Sequence, residues 1–185
     1  MKTSYEMNIA GLPRSLTLFP INEELYIAGF IMFGDVEITK ASAEELLKRA
    51  PEFDILVSAE AKGIPLAYEM ARQSKKPYIV ARKGPKLYMK DVVKVVVNSI
   101  TTDHEQILCV GNEEAAFMKG KRVLIVDDVI STGESLKALE SLVSAVGGNI
   151  CGKMTVLAEG DAALRDDIIY LEKLPLFDKD GEPIE

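Results

Sequence analysis

Two adjacent acids and a hydroxyl-rich turn are the residues of this chain best suited to chemistry. Asp127 and Asp128 follow the apolar run Val123 to Val126 and precede Ser131-Thr132-Gly133-Glu134-Ser135. Carboxylates side by side can accept hydrogen bonds from a pair of vicinal hydroxyls. Backbone amides in a turn that opens a helix bind anions, and the helix dipole adds to the attraction. Gly133 allows the main chain to come close to a phosphate, and Ser131, Thr132 and Ser135 offer hydroxyl donors. A diol clamp beside a phosphate cradle fits a phosphorylated sugar. The plainer alternative is a capped helix start with solubilising acids; a buried strand running into a double acid argues against it.

Two further turns carry charge. Ser58-Ala59-Glu60-Ala61-Lys62-Gly63 follows the apolar stretch Asp54 to Val57. Its small residues again offer amide donors ahead of a helix, and Lys62 adds a cation. Arg82-Lys83-Gly84-Pro85-Lys86 follows Tyr78 to Ala81 and sets three cations around a Gly-Pro turn, which suits a second anionic group. In isolation the first turn reads equally as a plain helix start and the second as a solvated charge run. They gain meaning if the fold brings them to one edge.

The elements needed to do so are visible in the hydrophobic pattern. Strands are expected at Asp54 to Val57, Tyr78 to Ala81, Val123 to Val126 and Ile150 to Leu157. Helices are expected at Ile64 to Ser74, with Ile64, Ala67, Tyr68 and Ala71 on one face, and at Leu136 to Val146, stopped by Gly147-Gly148. Such alternation implies βαβ units, a mainly parallel sheet, and ligands at the carboxyl ends of strands. Ahead of this core the pattern gives strands at Leu16 to Phe19, Leu25 to Phe33 and Val36 to Ile38. A helix follows from Ala41 to Ala50, with Ser42 and Glu45 at capping-box spacing. Arg82 to Gly120 breaks the alternation with two strands around a polar loop, as a lid would. The tail from Leu174 reads as an extended arm. One domain over 1–185 is expected, with a hood at 1–40, a core at 41–172 and an arm at 173–185.

Composition narrows the class. The net charge of −7, without a long basic cluster, argues against nonspecific nucleic-acid binding. No apolar run reaches membrane-helix length, and the first residues lack a secretory pattern. Cys109 and Cys151 match no metal or redox spacing and suit reduced thiols in a cytoplasmic protein.

The run VLIVDDVISTGES, Val123 to Ser135, resembles the ribosyl-diphosphate-binding motif of the type I phosphoribosyltransferases, and the wider chain is most similar to their adenine branch. The resemblance implies an α/β Rossmann-type fold, with a central mainly parallel sheet flanked by helices, a small N-terminal β-rich hood and a flexible loop. It implies that Asp127 and Asp128 hold the ribose 2- and 3-hydroxyls and serve catalysis, and that Ser131, Thr132, Gly133, Glu134 and Ser135 hold the 5-phosphate. Ala59, Glu60, Ala61 and Lys62 would form the diphosphate loop, similar to a Glu-Ala-Arg-Gly stretch with Lys62 in place of Arg. Arg82, Lys83 and Lys86 resemble an Arg-Lys-x-Gly-Lys-Leu-Pro stretch and would face the leaving diphosphate. The implied reaction moves phosphoribose from 5-phosphoribosyl 1-diphosphate to a purine, adenine foremost, in purine salvage. Mg²⁺ would be the cofactor, held mainly by substrate and water rather than by a protein metal site. A cytoplasmic homodimer without nucleic-acid or membrane partners completes the expectation.

The chain also departs from that pattern. A Leu-Glu-Tyr-Gly stretch, whose Glu assists the base in the adenine branch, is replaced by Val97-Asn98-Ser99-Ile100; Glu105 is nearby but not aligned. The Phe-Arg-Asp signature that helps hold adenine is missing, and Pro13-Arg14-Ser15-Leu16 is no adequate substitute. Phe19, Phe30 and Phe33 are either stacking residues for a base or core. His104 is either a solvated loop residue or a lid contact. The second reading is a non-catalytic sensor that binds the sugar diphosphate or a nucleotide on the same fold. A nucleotidase fits poorly, for the chain has neither a Walker-type Gly-x4-Gly-Lys nor a nucleophile elbow.

Overall fold

In the computed structural model, which describes residues 2–89, 91–98 and 105–184, the chain begins with a β-rich region. Strands β1 (Ser4–Ile9), β2 (Leu12–Pro20) and β3 (Tyr26–Ala28) come first, then helix α1 (Val36–Leu47). The core follows as β4 (Ile55–Ala59), α2 (Ile64–Ser74), β5 (Tyr78–Ala81), the hairpin β6 (Val93–Asn98) and β7 (Glu105–Val110), α3 (Asn112–Met118), β8 (Arg122–Ile130), α4 (Glu134–Ala145) and β9 (Asn149–Glu159). A 3₁₀ turn at Gly160–Leu164 leads to β10 (Ile169–Leu174), and the tail forms β11 (Leu176–Phe177) and β12 (Pro183–Ile184).

The central sheet has the order β10-β9-β8-β4-β5, and every pairing in it is parallel. All five residues of β4 are buried, as a strand covered on both faces requires. Its alternation builds two cores. Leu56 and Leu124 join Leu46, Leu66 and Met70 beneath α1 and α2. Ile55, Val57, Val123 and Ile125 turn the other way, onto Leu136, Leu139, Leu142 and Val143 of α4. The expected fold class is therefore the observed one. The expected helix Ile64 to Ser74 and strand Tyr78 to Ala81 are found with those bounds.

Several local expectations fail for identifiable reasons. Val36 to Ile38 is not a strand but the first turn of α1. Asp35 caps it by accepting a hydrogen bond from the Ile38 amide at 3.0 Å, and this overrides the β-branched residues. Ser42, expected as a cap, is buried inside that helix. Of Leu25 to Phe33 only Tyr26–Ala28 is strand. Tyr68 does not join the buried face of α2; Leu66, Ala67, Met70 and Ala71 do, and Tyr68 stands exposed with its ring edge toward Tyr78. The acids Asp127 and Asp128 do not end their strand, which runs on to Ile130. The strand β1, helix α3 and strand β10 had no counterpart in the pattern read from sequence.

The second sheet has the order β1-β2-β3-β11-β12, so the tail pairs with the N-terminal strands. Phe177 is fully buried there, its ring 4.9 Å from that of Tyr5. The β6–β7 hairpin is antiparallel, and Val93 and Val95 pack toward the α4 core. Its root is tied to the sheet by paired backbone hydrogen bonds between Arg82 and Cys109 (2.8 and 2.9 Å). His104 and the polar tip, residues 99–104, lie outside the described residues.

Candidate active site

Parallel register explains how distant turns meet. Val57 pairs with Ile125, and Ala59 with Ala81, so the carboxyl ends of β8, β4 and β5 stand side by side. The acids, the Ser58-to-Gly63 turn and the Arg82-to-Lys86 turn therefore share one edge. This is the juxtaposition that the alternating pattern required.

The acids lie deeper than their charge would favour. Asp128 is only 2% exposed, and its buried Oδ2 has no hydrogen-bond partner. That oxygen is 3.6 Å from the Nζ of Lys62, an otherwise exposed side chain. Asp127 Oδ1 accepts the Asp128 amide at 2.9 Å. Burial, and then the charge of Asp128, push the Asp127 carboxyl well above the ordinary carboxylate range. Two close carboxylates of which one holds its proton more tightly form a site with both donor and acceptor capacity.

The turn after β4 presses against these acids. A Cβ on Gly63 would lie 2.3 Å from Ser58 Oγ and 2.7 Å from Asp127 Oδ1, so only glycine fits there. The backbone of Gly63 is ordinary for any residue (φ −74°), which makes the requirement one of space. Glu60 points the other way, to the turn after β5. Its carboxylate accepts the Lys83 amide at 3.1 Å and faces Arg82 Nη1 at 3.6 Å and Lys86 Nζ at 3.9 Å. That amide, followed by the charges of Lys86 and Arg82, holds the Glu60 carboxyl below its usual range. The cations expected to meet an anion are thus gathered around a carboxylate of the chain itself. Ala59 is buried at the strand end, Ala61 and Lys83 are exposed, and the Glu60–Ala61 peptide is cis.

The third part is the cradle. Gly133 adopts the left-handed conformation (φ 78°) that turns β8 into α4, with no side chain capping the helix. Residues 129–136 and Asp127 line a pocket of about 90 Å³ at that helix start. Ser131 Oγ accepts the Thr132 amide at 2.6 Å. Ser131 and Glu134 are half-buried, while Thr132 and Ser135 are exposed.

Sequence reasoning missed two charged residues here. Glu159 ends β9, the strand beside β8, where Ile130 pairs with Ala158. Burial raises its carboxyl, against the opposing pull of the Ser131 hydroxyl and Lys62. Arg165 follows the 3₁₀ turn, and its Nη1 would be 2.8 Å from a Cβ placed on Gly133. Glu159 could have been found by treating the end of every parallel strand as site; Arg165 carries no motif.

The aromatic residues of the hood divide between core and surface. Phe30 is core at 4% exposure, whereas Phe19 and Phe33 are about half exposed. Phe19 lies on Gly29, where a Cβ would meet its ring at 2.6 Å. Arg14 is committed to Asp35 through two hydrogen bonds (2.7 and 3.0 Å) and to Glu37 at 2.9 Å, bracing β2 against α1. A larger hollow of about 430 Å³ is lined by Tyr88, Met89, Asp91 and residues 111–114, none of which belongs to the three turns. Among the described residues no set of three His, Cys, Asp or Glu side chains could hold a metal ion. No helix among them is long and apolar enough to cross a membrane.

A parallel sheet that carries an acid pair, a cation-rich turn and a glycine-opened helix start on one carboxyl edge defines an α/β protein of the class that binds ligands at its strand ends. The family model for the phosphoribosyl transferase domain matches residues 35–177, and the chain belongs to that family, in its type I branch. It is 34% identical over 125 residues to an adenine phosphoribosyltransferase of Kosmotoga olearia, covering 67% of this chain and 69% of that protein. A Bifidobacterium longum adenine phosphoribosyltransferase is 31% identical over 179 residues, 95% of this chain and 84% of the relative. Across five such relatives from Kosmotoga, Cenarchaeum and Thermotoga the matched stretch spans 54% to 69% of their own length. The crystal structure of the Thermoanaerobacter pseudethanolicus adenine phosphoribosyltransferase superposes with a TM-score of 0.65 at 26% identity, covering 77% of this chain and 84% of that one.

Proposed function

We propose that the protein transfers phosphoribose from 5-phosphoribosyl 1-diphosphate to a purine base, adenine foremost, and releases diphosphate. The observation that carries this reading is the meeting of Asp127 and Asp128, the Ser58-to-Gly63 turn and the Arg82-to-Lys86 turn at one sheet edge. In this reading Asp127 and Asp128 bind the ribose hydroxyls, and the start of α4 at 131–135 binds the 5-phosphate. In the reaction the bond from the anomeric carbon to the diphosphate oxygen breaks, a bond to a base nitrogen forms, and the proton of that nitrogen passes to solvent. Negative charge grows on the leaving group, where Lys62, Arg82, Lys83 and Lys86 offset it. The carbocation character that develops on the ribose ring is stabilised by the negative charge that the acid pair shares.

The buried Oδ2 of Asp128, which lacks a hydrogen-bond partner, fits a Mg²⁺ that Asp127 and Asp128 would help to hold, with most of its coordination from substrate oxygens and water. Such an ion neutralises diphosphate charge when bound. Adenine is favoured by the similarity to adenine phosphoribosyltransferases, and no side chain is assigned to the base. The expected working form is a cytoplasmic homodimer, which sedimentation of the pure protein and fractionation of cells would check.

The test is to incubate the full chain with 5-phosphoribosyl 1-diphosphate, Mg²⁺ and each common nucleobase while following diphosphate release. Turnover with adenine is expected. Tight binding of the sugar diphosphate with no turnover on any base would replace this reading with that of a sensor, a possibility raised by the missing acid at Val97-Asn98-Ser99-Ile100.

A further inference from the structure

The cradle at the start of α4 has no cation of its own. Its side chains are three hydroxyls and the carboxylate of Glu134. A helix N-terminus contributes about half a unit of positive charge, against roughly −1.5 to −2 on a phosphate monoester at neutral pH. The balance comes from elsewhere in the chain. After β9 and the 3₁₀ turn, Arg165 reaches back until its Nη1 stands over Gly133, the residue that opens the helix.

The aim of that guanidinium is fixed from behind. Arg165 Nε and Nη2 donate to the two carboxylate oxygens of Asp167, each at 2.8 Å. These bonds use one edge of the planar fork and leave Nη1 directed at the loop. Asp167 is itself shared, because Lys153 Nζ hydrogen-bonds to it and to Glu140 of α4 at 2.7 Å. The carboxylate is thus divided between two cations, and the network anchors Arg165 to the same helix whose start forms the cradle. A planar, permanently charged fork suits phosphate oxygens better than a mobile ammonium does.

We propose that Arg165 is a further ligand of the 5-phosphate and that Asp167 is the positioning residue that aims it. The inference rests on the reading of 131–135 as the phosphate cradle. It assigns a binding role to a residue outside all three turns.

The experiment titrates wild type, Arg165→Ala, Arg165→Lys and Asp167→Asn with ribose 5-phosphate and, separately, with inorganic diphosphate. Arg165→Ala is expected to weaken ribose 5-phosphate by about tenfold, the scale of one charge-assisted hydrogen bond. Its affinity for inorganic diphosphate, bound at the other end of the site, should stay within about twofold of wild type. Arg165→Lys should fall between the two, since it keeps charge and loses the fork. Asp167→Asn should weaken ribose 5-phosphate while Arg165 remains in place. These two variants decide the matter if Arg165→Ala fails to fold. Ribose 5-phosphate binding equal to wild type in the folded variants would overturn the inference alone. Equal losses for both ligands would overturn it in favour of a purely structural role. Wild type that ignores ribose 5-phosphate would overturn the cradle reading and the inference with it.

Discussion

At the scale of single residues, what the sequence reveals is the chemistry that travels in short motifs. Asp127, Asp128 and the Ser131-to-Ser135 turn are contiguous, so their cooperation is legible before any fold is known. The charge state of the acids is not legible, because it depends on burial. Asp127 is raised by desolvation and by Asp128, and the sign of its effect follows. A carboxyl whose folded pKa lies above its unfolded value, about 4, binds its proton more tightly when folded. Stability is then lost as pH rises from near 4 to the raised value, and the cost is fully present above it. Asp127→Asn should therefore gain stability relative to wild type as pH increases from 5 to 9 in urea denaturation of the ligand-free protein. Parallel profiles for the two proteins would refute the assignment. Gly63 illustrates the same limit: its φ is unremarkable, and only the packing of Ser58 and Asp127 against it excludes a side chain.

Among the elements, the core helices and strands follow from periodicity, while the failures cluster where a local cap or a long-range partner decides. Val36 and Ile38 have strand-forming side chains, yet Asp35 and its bond to the Ile38 amide make them helix. Asp35 is also the residue on which Arg14 of β2 closes, and this ion pair holds its carboxyl below the usual range. Replacing Asp35 by Ala removes both the cap and the brace. A loss of about 1–3 kcal/mol in unfolding free energy is expected, measured by chemical denaturation, and Arg14→Ala should reproduce only part of it because the cap survives. A loss no larger in Asp35→Ala than in Arg14→Ala would show the cap to be idle. Arg165 is illegible for the same reason, since it arrives beside Gly133 through the turn after β9 and not through a motif, whereas Glu159 is legible only once the end of every parallel strand is counted.

On the scale of the molecule, the two sheets are not independent bodies. Ile9, Leu16, Phe30 and Phe177 belong to the same apolar cluster as Leu56, Leu124 and Met154 of the central sheet. Phe177→Ala should consequently cost about 3–5 kcal/mol, the range for emptying an aromatic core position, and the loss should show as one cooperative transition in denaturation followed by fluorescence and by circular dichroism. Two separate transitions would mean that the hood melts alone. The parallel order of the central sheet could be argued from alternation, but the pairing of β3 with β11 could not, since Tyr26 meets Phe177 across most of the chain. That pairing also sets a schedule. Strands β1 to β3 leave the ribosome before β11, so the edge of β3 stays open until β11 has been synthesised. A nascent chain halted short of Phe177 holds every strand of the central sheet while its N-terminal sheet still exposes an unpaired strand, so chaperones should hold such chains longest at that end.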